Sequence, residues 1–183
     1  MRTDLIIAGV GGQGSIMAGT LLGTAAVVFD KKKALQTQSY SSELRGGAAV
    51  TWVSISDEAI LYPRVVHPDI LIAQAPQAVQ RYLHQLKQGG TLIIDSDMVH
   101  DSPCKGCSIV KVPATTIAGR EIDNSIVANL VVLGALIATD PVVSPAAVEE
   151  AIRFSVSKTK IDMNIKAFRR GLEVGSAQGE QWH

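Results

Sequence analysis

Residues 6–19 read IIAGVGGQGSIMAG, a short apolar run that ends in glycines and continues at once into small residues. Glycine adopts positive φ readily and has no Cβ, so the backbone can turn tightly here and admit a ligand to its N–H groups. A helix that begins at such a turn offers unpaired N–H groups and the positive end of its dipole to an anion, typically a phosphate. The alternative is a turn that serves only the close packing of a strand on a helix.

This glycine turn fits the pattern G-x-G-x-x-G through Gly9, Gly11 and Gly14. The pattern is weak alone, but here it follows a strand-like run and precedes a helix-like one. A dinucleotide-binding fold also places an Asp or Glu about 20 residues further on, where it binds the ribose hydroxyls. The corresponding stretch, residues 36–40, reads QTQSY and contains no acidic residue. The sequence therefore disfavours NAD as the ligand.

Composition and charge predict a globular cytoplasmic protein. Of the 183 residues 46% are apolar, and 17 Lys and Arg balance 17 Asp and Glu. The chain therefore lacks the basic excess expected of a nucleic-acid binder. Met1 to Asp4 lead directly into a strand-like run without a signal sequence. The longest apolar stretch, residues 126–138, is interrupted by Asn129 and is too short to span a bilayer, so no membrane association is expected.

The chain has two cysteines, Cys104 and Cys107, which form a C-x-x-C pair in its most loop-like segment. Such a pair can be half of a zinc or iron–sulfur site, or a redox pair. A metal site needs about four ligands, and no further cysteine is present to supply them. We therefore expect two free thiols and no metal site or iron–sulfur cluster in this chain. A metal shared with a partner and a redox role remain alternatives.

The order of apolar runs and breakers predicts an α/β fold, in which a mostly parallel, Rossmann-like sheet is flanked by helices. Strands are expected at residues 4–8, 34–40, 48–56, 69–73, 91–95 and 108–112. We expect residues 59–61 to pair with strand 48–56 as an inserted β-hairpin. Residues 125–139 are nearly apolar all round, which implies burial by the core or by another subunit. Residues 1–183 are expected to form one domain, with residues 175–183 as a frayed tail.

Further motifs follow the glycine turn in order. They are Gln36-Thr37-Gln38-Ser39-Tyr40, Glu43-x-Arg45-Gly46-Gly47, Pro68-Asp69, Asn129 with Gly134, and Asn164-x-x-Ala167-Phe168-x-x-Gly171. Together they resemble the gamma subunit of the 2-oxoacid:ferredoxin oxidoreductases, from about residue 3 to residue 172. The stretch at residues 36–40 most resembles the 2-oxoglutarate branch, with the pyruvate and indolepyruvate branches close. The chain departs from the family at Ser15, where an aliphatic residue is usual, and at Ser41-Ser42, where Gly-Pro is usual.

The resemblance implies a subunit that is inactive alone, within an enzyme that oxidatively decarboxylates a 2-oxoacid, forms an acyl-CoA and reduces ferredoxin. It implies partner alpha and beta subunits and allows a ferredoxin-like delta subunit. These partners would carry the thiamine diphosphate, Mg and iron–sulfur clusters. The gamma-type domain is associated with coenzyme A and with assembly, and the isolated chain could form a homodimer. No catalytic residue is expected in this chain, and His67, His84, His100 and His183 show no catalytic or metal-like grouping.

A coenzyme A site is expected where the two glycine-containing motifs meet. The N–H groups of Gly11, Gly12, Gln13 and Gly14 would hold a phosphate, and Gly9 lets the turn close. The Gln13 side chain would hydrogen-bond the phosphate or the pantetheine amides.

The second motif would supply the rest of this site. Arg45, followed by Gly46 and Gly47, would clamp a phosphate with its planar guanidinium. Residues Gln38, Ser39 and Tyr40 would line a channel for the thiol. Arg45 could instead pair with Glu43 or with a partner's carboxylate, and Tyr40 could be an ordinary interface or core residue.

Two other functions remain open at this stage. The chain could be a purely structural assembly subunit, in which the glycines only pack against neighbours. It could also be a free-standing nucleotide-binding oxidoreductase, although the missing ribose carboxylate weakens that interpretation.

Overall fold

The computed structural model describes residues 1–40 and 47–179. A six-stranded sheet lies at its centre, in the order β2-β3-β1-β4-β5-β6. The strands are β1 (Arg2–Val10), β2 (Lys33–Tyr40), β3 (Ala48–Ser56), β4 (Ile70–Ala73), β5 (Thr91–Asp95) and β6 (Ser108–Val112). The helices are α1 (Ser15–Thr24), α2 (Pro76–Tyr82), α3 (Ala114–Arg120), α4 (Ala128–Thr139), α5 (Pro145–Ser155) and α6 (Ile161–Gly179). A π-helical turn, Ala25–Phe29, extends α1.

The sheet is mostly parallel, as the sequence predicts. Strand β1 pairs in parallel with β4, β4 with β5, and β5 with β6. Strand β3 is the exception, since it lies antiparallel to β1 on one side and to β2 on the other. The predicted α/β architecture with helices on the sheet is therefore confirmed.

The antiparallel hairpin differs from the predicted one. Strand β3 pairs with β2, and residues 59–61 form no strand. The prediction that residues 59–61 pair with β3 is wrong, because β1 and β2 already occupy both edges of β3. The inserted hairpin consists of β2 and β3.

Two apolar clusters cover the two faces of the sheet. One contains Leu5 and Ile7 of β1 together with buried residues of α1, α3, α4, α5 and α6. The other contains Ile6 and Ala8 of β1 with residues of α2. Because neighbouring residues of a strand point to opposite faces, β1 separates the two clusters.

The nearly apolar segment forms α4, preceded by a short 3₁₀ turn (Ser125–Val127). Every residue from Asn129 to Ile137 is buried within this chain. The burial inferred from the sequence is thus supplied by the chain's own core, and no partner subunit is needed to explain it. Within the described ranges, no helix has both the length and the apolar character needed to cross a bilayer.

Two helical features differ from the sequence-based expectation. Helix α6 continues to Gly179, so residues 175–179 of the expected frayed tail are helical, while residues 180–183 lie outside the described residues. Gly175 is buried, with the Ala135 backbone and the Ala138 side chain beside it. Helix α3 was not expected, because it is only seven residues long and contains two β-branched threonines.

Cys104 and Cys107 form a disulfide, with their Cα atoms 6.0 Å apart. The prediction of two free thiols is therefore wrong. The loop folds back because Gly89 N–H donates to Gly106 O (2.8 Å) and Ser108 N–H donates to Gly90 O (2.9 Å). This return of the backbone brings the two cysteines within the range of Cα separation that a disulfide spans.

Candidate functional site

The glycine turn connects the carboxyl end of β1 to the start of α1. Gly12 and Gly14 both have positive φ, +95° and +75°, which explains why glycine stands at these positions. Gly14 is the N-cap of α1, and its carbonyl accepts the first helical hydrogen bond, from Ala18 N–H at 3.0 Å. The strand–turn–helix context that the G-x-G-x-x-G pattern requires is present.

The Gln13 side chain braces this turn from the inside. Its Oε1 accepts from Val10 N–H at 2.8 Å, and its Nε2 donates to Gln74 O at 3.0 Å. The Gln74 side chain returns the contact, since its Nε2 donates to Gln13 O at 3.2 Å. Both ends of the Gln13 amide are therefore engaged within the protein. This geometry corrects the expectation that the Gln13 side chain faces a ligand.

Gln74 is a residue of the site that the sequence interpretation missed. It is 3% exposed and follows β4, where its N–H donates to Ala8 O at 2.9 Å. Its side-chain Oε1 accepts from the hydroxyl of Ser15, which is 1% exposed, at 2.7 Å. Ser15, where the chain departs from the family pattern, is therefore hydrogen-bonded to Gln74. A polar residue directly after a buried strand was the available signal.

Gly9 and Asn129 lie beneath the turn. A Cβ on Gly9 would lie 2.9 Å from Ser15 Oγ and would overlap Gln13 Oε1, so a side chain has no room there. Asn129, from α4, donates through Nδ2 to Gly14 O at 3.1 Å. Asn164, from another of the family motifs, likewise donates through Nδ2 to a backbone carbonyl, Lys160 O, at 2.7 Å. The Oδ1 atom of Asn129 is buried and has no partner among the described residues.

Gly47 joins the second glycine motif to the glycine turn. Gly11 N–H donates to Gly47 O at 2.8 Å, and the pairing of Val10 with Ala48 continues this contact into the sheet. The two motifs that lie far apart in the sequence thus meet at one edge of the sheet. Arg45 and Gly46, the other predicted site residues of this motif, lie outside the described residues.

Gln38, Ser39 and Tyr40 lie at the end of β2, and all three are exposed. Tyr40 pairs with Ala49 of β3, which pairs with Gly9 of β1. These residues therefore share the edge of the glycine turn but are separated from it by one strand, about 10 Å for two strand spacings. Tyr40 is 64% exposed, so the alternative of a core position is wrong within the isolated chain.

The donors that remain at the turn are backbone N–H groups. Those of Gly11 and Gln13 are occupied by Gly47 O and Val10 O. The N–H groups of Gly12 and Gly14 have no acceptor within residues 1–40 and 47–179. The first turn of α1 contains no acidic residue, so no carboxylate there opposes an anion. Together with the orphan N–H groups of the first helical turn, this arrangement favours a phosphate.

Asp95 is a second residue that the sequence interpretation missed. It ends β5 at the same carboxyl edge of the sheet and is 2% exposed. Its Oδ2 accepts from the Thr115 hydroxyl at 2.6 Å, and its Oδ1 accepts from Asp97 N–H at 3.2 Å. Burial raises the pKa of Asp95, and the hydrogen bonds from Thr115 and Asp97 offset only part of that effect.

The raised pKa of Asp95 predicts a pH dependence of stability. The folded chain binds the Asp95 proton more tightly than the unfolded chain does. The contribution of protonated Asp95 to the unfolding free energy is therefore fully present below the unfolded pKa, about 3.9. It is lost as pH rises through the folded pKa. We expect Asp95→Asn to lack this loss, so that its unfolding free energy changes less between pH 4 and pH 7. Urea unfolding across that range measures the difference. The exposed Asp101→Asn is the control, and the same slope in both variants would contradict the assignment.

Comparison with known proteins identifies the family. Residues 4–174 match the family model described as pyruvate ferredoxin/flavodoxin oxidoreductase. A relative from Methanocaldococcus jannaschii, named 2-oxoglutarate synthase subunit KorC, is 45% identical over 176 residues, which cover 95% of this chain and 94% of the relative. The gamma subunit of a keto/oxoacid ferredoxin oxidoreductase from Geobacter sulfurreducens is similar in structure. Its TM-score is 0.86 at 37% identity, covering 96% of this chain and 99% of that one.

A larger protein contains the same fold. The 2-oxoglutarate:ferredoxin oxidoreductase from Magnetococcus marinus gives a TM-score of 0.82 at 21% identity. The match covers 96% of this chain but 31% of that chain. At this identity the similarity extends to the fold.

The chain therefore belongs to the pyruvate ferredoxin/flavodoxin oxidoreductase family. Within that family it is a gamma subunit of the 2-oxoacid:ferredoxin oxidoreductases, as the motifs predict. It is thus a component of an oxidoreductase rather than a free-standing nucleotide-binding enzyme.

Proposed function

We propose that this gamma subunit provides part of a coenzyme A site in an enzyme that converts 2-oxoglutarate to succinyl-CoA, CO2 and reduced ferredoxin. The observation that carries the proposal is the hydrogen bond from Gly11 N–H to Gly47 O, which joins the two glycine motifs. The choice of 2-oxoglutarate is supported by the name of the Methanocaldococcus jannaschii relative. The Magnetococcus marinus enzyme has 2-oxoglutarate, coenzyme A and succinyl-CoA bound.

The residues of the glycine turn suit a phosphate of coenzyme A. Gly11 and Gly12 are exposed, and a Cβ built on Gly12 would meet no atom within 4 Å, so the backbone can be approached closely. The N–H groups of Gly12 and Gly14 and the first turn of α1 are the donors that would hold the phosphate. Gln13 would act indirectly, because its side chain fixes the shape of the turn.

The remaining part of the site would come from the β2–β3 connection. Arg45 stands two residues before Gly47 in the chain, and Gly47 is fixed against the turn. The Arg45 guanidinium is suited to bind two oxygens of a phosphate at once. Gln38, Ser39 and Tyr40 are exposed along the same edge and would contact the pantetheine arm as it passes to a neighbouring subunit. Orientation of the thiol in this way lowers the barrier without acid–base chemistry in this chain.

The partners follow from the same proposal. The thiamine diphosphate, Mg and iron–sulfur clusters would belong to the alpha and beta subunits of a cytoplasmic complex and, where present, to a delta subunit. Ferredoxin would accept the electrons. The alternative of a purely structural subunit loses its main support. The nearly apolar segment that another subunit could have covered is α4, which is buried in this chain's own core.

The Arg45→Ala variant tests the proposal in the reconstituted complex. Loss of a charge-assisted hydrogen bond should raise KM for coenzyme A about tenfold to a hundredfold, because such bonds contribute roughly 1.5–3 kcal/mol. The content of thiamine diphosphate and iron–sulfur clusters should stay unchanged. KM and cluster content are measured in steady-state assays and by absorbance.

Arg153→Ala is the matched control, since Arg153 is exposed on α5 and pairs only with Glu150, at 3.5 Å, among the described residues. An unchanged KM for coenzyme A in Arg45→Ala would contradict the clamp. Hydrogen exchange separates the structural alternative. If coenzyme A does not slow exchange of the Gly12 and Gly14 amides in the assembled enzyme, the turn does not bind it.

A further inference from the structure

A groove of about 770 Å³ lies on the face of the sheet covered by α2. One wall is formed by apolar residues of α2 and the following 3₁₀ turn, among them Val79 and Leu83, and the other by residues 98–107. None of its lining residues belongs to the glycine turn or to β2. The volume is within the range of small-molecule sites, roughly 300–1,000 Å³. The proposed coenzyme A site does not account for this groove.

The Cys104–Cys107 disulfide forms part of the groove wall. Both cysteines line the groove and are partly exposed, while their apolar surroundings include Leu83 and Leu86. Lys105 and Gly106, between the two cysteines, are exposed. The cysteine pair therefore borders a space that a small molecule can enter.

The fold does not depend on this disulfide. It bridges residues only three apart in the sequence. Stabilisation by a disulfide increases with the length of the loop that it closes, so a bridge of this span constrains the unfolded chain little. The same loop is independently held by the hydrogen bonds from Gly89 N–H to Gly106 O and from Ser108 N–H to Gly90 O. The bridge can therefore open while the surrounding backbone keeps its place.

We propose that Cys104 and Cys107 form a thiol–disulfide exchange site for a small thiol or dithiol that binds in this groove. The bound thiolate attacks one sulfur of the pair. A mixed disulfide forms, the Cys104–Cys107 bond breaks, and the other cysteine leaves as a thiolate that takes up a proton. A second thiol, from the same dithiol or from another molecule of the monothiol, then attacks the mixed disulfide. The two attacking thiols become a disulfide, and the cysteine pair becomes two thiols, with two electrons and two protons transferred.

The charges around the pair favour this reaction. Lys105 stands between the two cysteines, and a neighbouring cation stabilises a thiolate. Asp101, which also lines the groove, contributes a negative charge. Lys87 lines it too, but its ammonium is paired with Asp69. A thiol that itself carries negative charge is therefore attracted to the rim through Lys105.

The first experiment follows exchange in the full chain with dithiothreitol and with reduced glutathione. An alkylating reagent stops the exchange by blocking free thiols, and mass spectrometry then counts the blocked cysteines in each sample. For both thiols we expect the rate to saturate as thiol concentration rises in the native chain, and to rise linearly in urea. The far-UV circular dichroism should not change on reduction. A native disulfide that resists both thiols, or a native rate that stays linear, would overturn the proposal.

The second experiment uses variants to locate the site and its charge dependence. Cys104→Ser and Cys107→Ser are each treated with oxidised glutathione, and at least one should form a single mixed disulfide while the double variant forms none. In a separate assay on the chain with both cysteines, Lys105→Glu should slow exchange with dithiothreitol only through the lost stabilisation of the thiolate. It should slow exchange with the negatively charged glutathione about threefold to tenfold more. The exposed Lys158→Glu is the control. Equal slowing for both thiols, or no slowing for glutathione, would remove the role of Lys105. If neither single variant forms a mixed disulfide with glutathione, the proposed exchange site is contradicted.

Discussion

A methyl group added at Gly134 or Gly171 is expected to prevent α4 and α6 from packing. A Cβ on Gly134 would overlap Phe168 O and lie 2.7 Å from Leu172 N, and one on Gly171 would overlap Val131 O. These are backbone atoms of the facing helix, so no side chain can rotate away. We expect Gly134→Ala and Gly171→Ala each to lose more than about 3 kcal/mol, or to yield insoluble protein.

The thermal midpoint measures this effect, and a loss of that size lowers Tm by about 10 °C in a chain of this length. Gly23→Ala and Gly119→Ala are matched controls, because a Cβ on either glycine meets no atom within 4 Å. Both lie in helices, where Ala is favoured over Gly by roughly 0.5–1 kcal/mol, so these variants should be neutral or more stable. If the Tm of Gly134→Ala equals that of the controls, α4 and α6 do not approach as closely as described.

A second large effect is expected at Gly14, where stability and ligand binding meet. Gly14 has φ +75°, and its Cβ would lie 2.5 Å from Asn129 Nδ2. The left-handed backbone costs a non-glycine residue about 1–2 kcal/mol, and the collision adds to this. We expect Gly14→Ala to lower the unfolding free energy by about 2–4 kcal/mol. In the assembled enzyme we expect KM for coenzyme A to rise more than about tenfold, since 1.4 kcal/mol corresponds to a factor of ten.

Two further variants separate backbone strain from collision. Gly12→Ala has the strain alone, because φ is +95° but no atom lies within 4 Å of a Cβ. Combining Gly14→Ala with Asn129→Ala removes the amide group that a Cβ on Gly14 would overlap. The pair should recover about 1 kcal/mol relative to the sum of the single changes. Denaturant unfolding measures the unfolding free energy of Gly12→Ala, Gly14→Ala, Asn129→Ala and the double variant. Strict additivity would show that Asn129 does not limit the space at Gly14.

The strands were predicted well where apolar, β-branched runs stand between breakers. Strand β3, predicted at residues 48–56, is observed at Ala48–Ser56, and strands β5 and β6 agree equally closely. The partner of β3 could not be predicted in the same way. Pairing is a nonlocal property, and nothing within residues 59–61 shows that β1 and β2 occupy both edges of β3.

The candidate site was predicted in position but not in detail. The sequence indicated that the glycine turn and the second glycine motif lie at one edge of the sheet, and Gly11 and Gly47 are in contact there. The inward direction of the Gln13 side chain was not predictable, because its partner Gln74 lies 61 residues away. Only the parallel pairing of β1 with β4 brings the two residues together.

Hydrogen bonds join Gln13, Ser15 and Gln74 into a network that supports the glycine turn. Each amide is held by groups of the protein, so the turn has its shape before any ligand arrives. Conformational entropy that a flexible loop would lose on binding is lost here during folding instead. Association at this turn should therefore require no slow rearrangement of β1 or α1. Under the proposed function, the glycine turn would therefore be a pre-organised receptor for an anion.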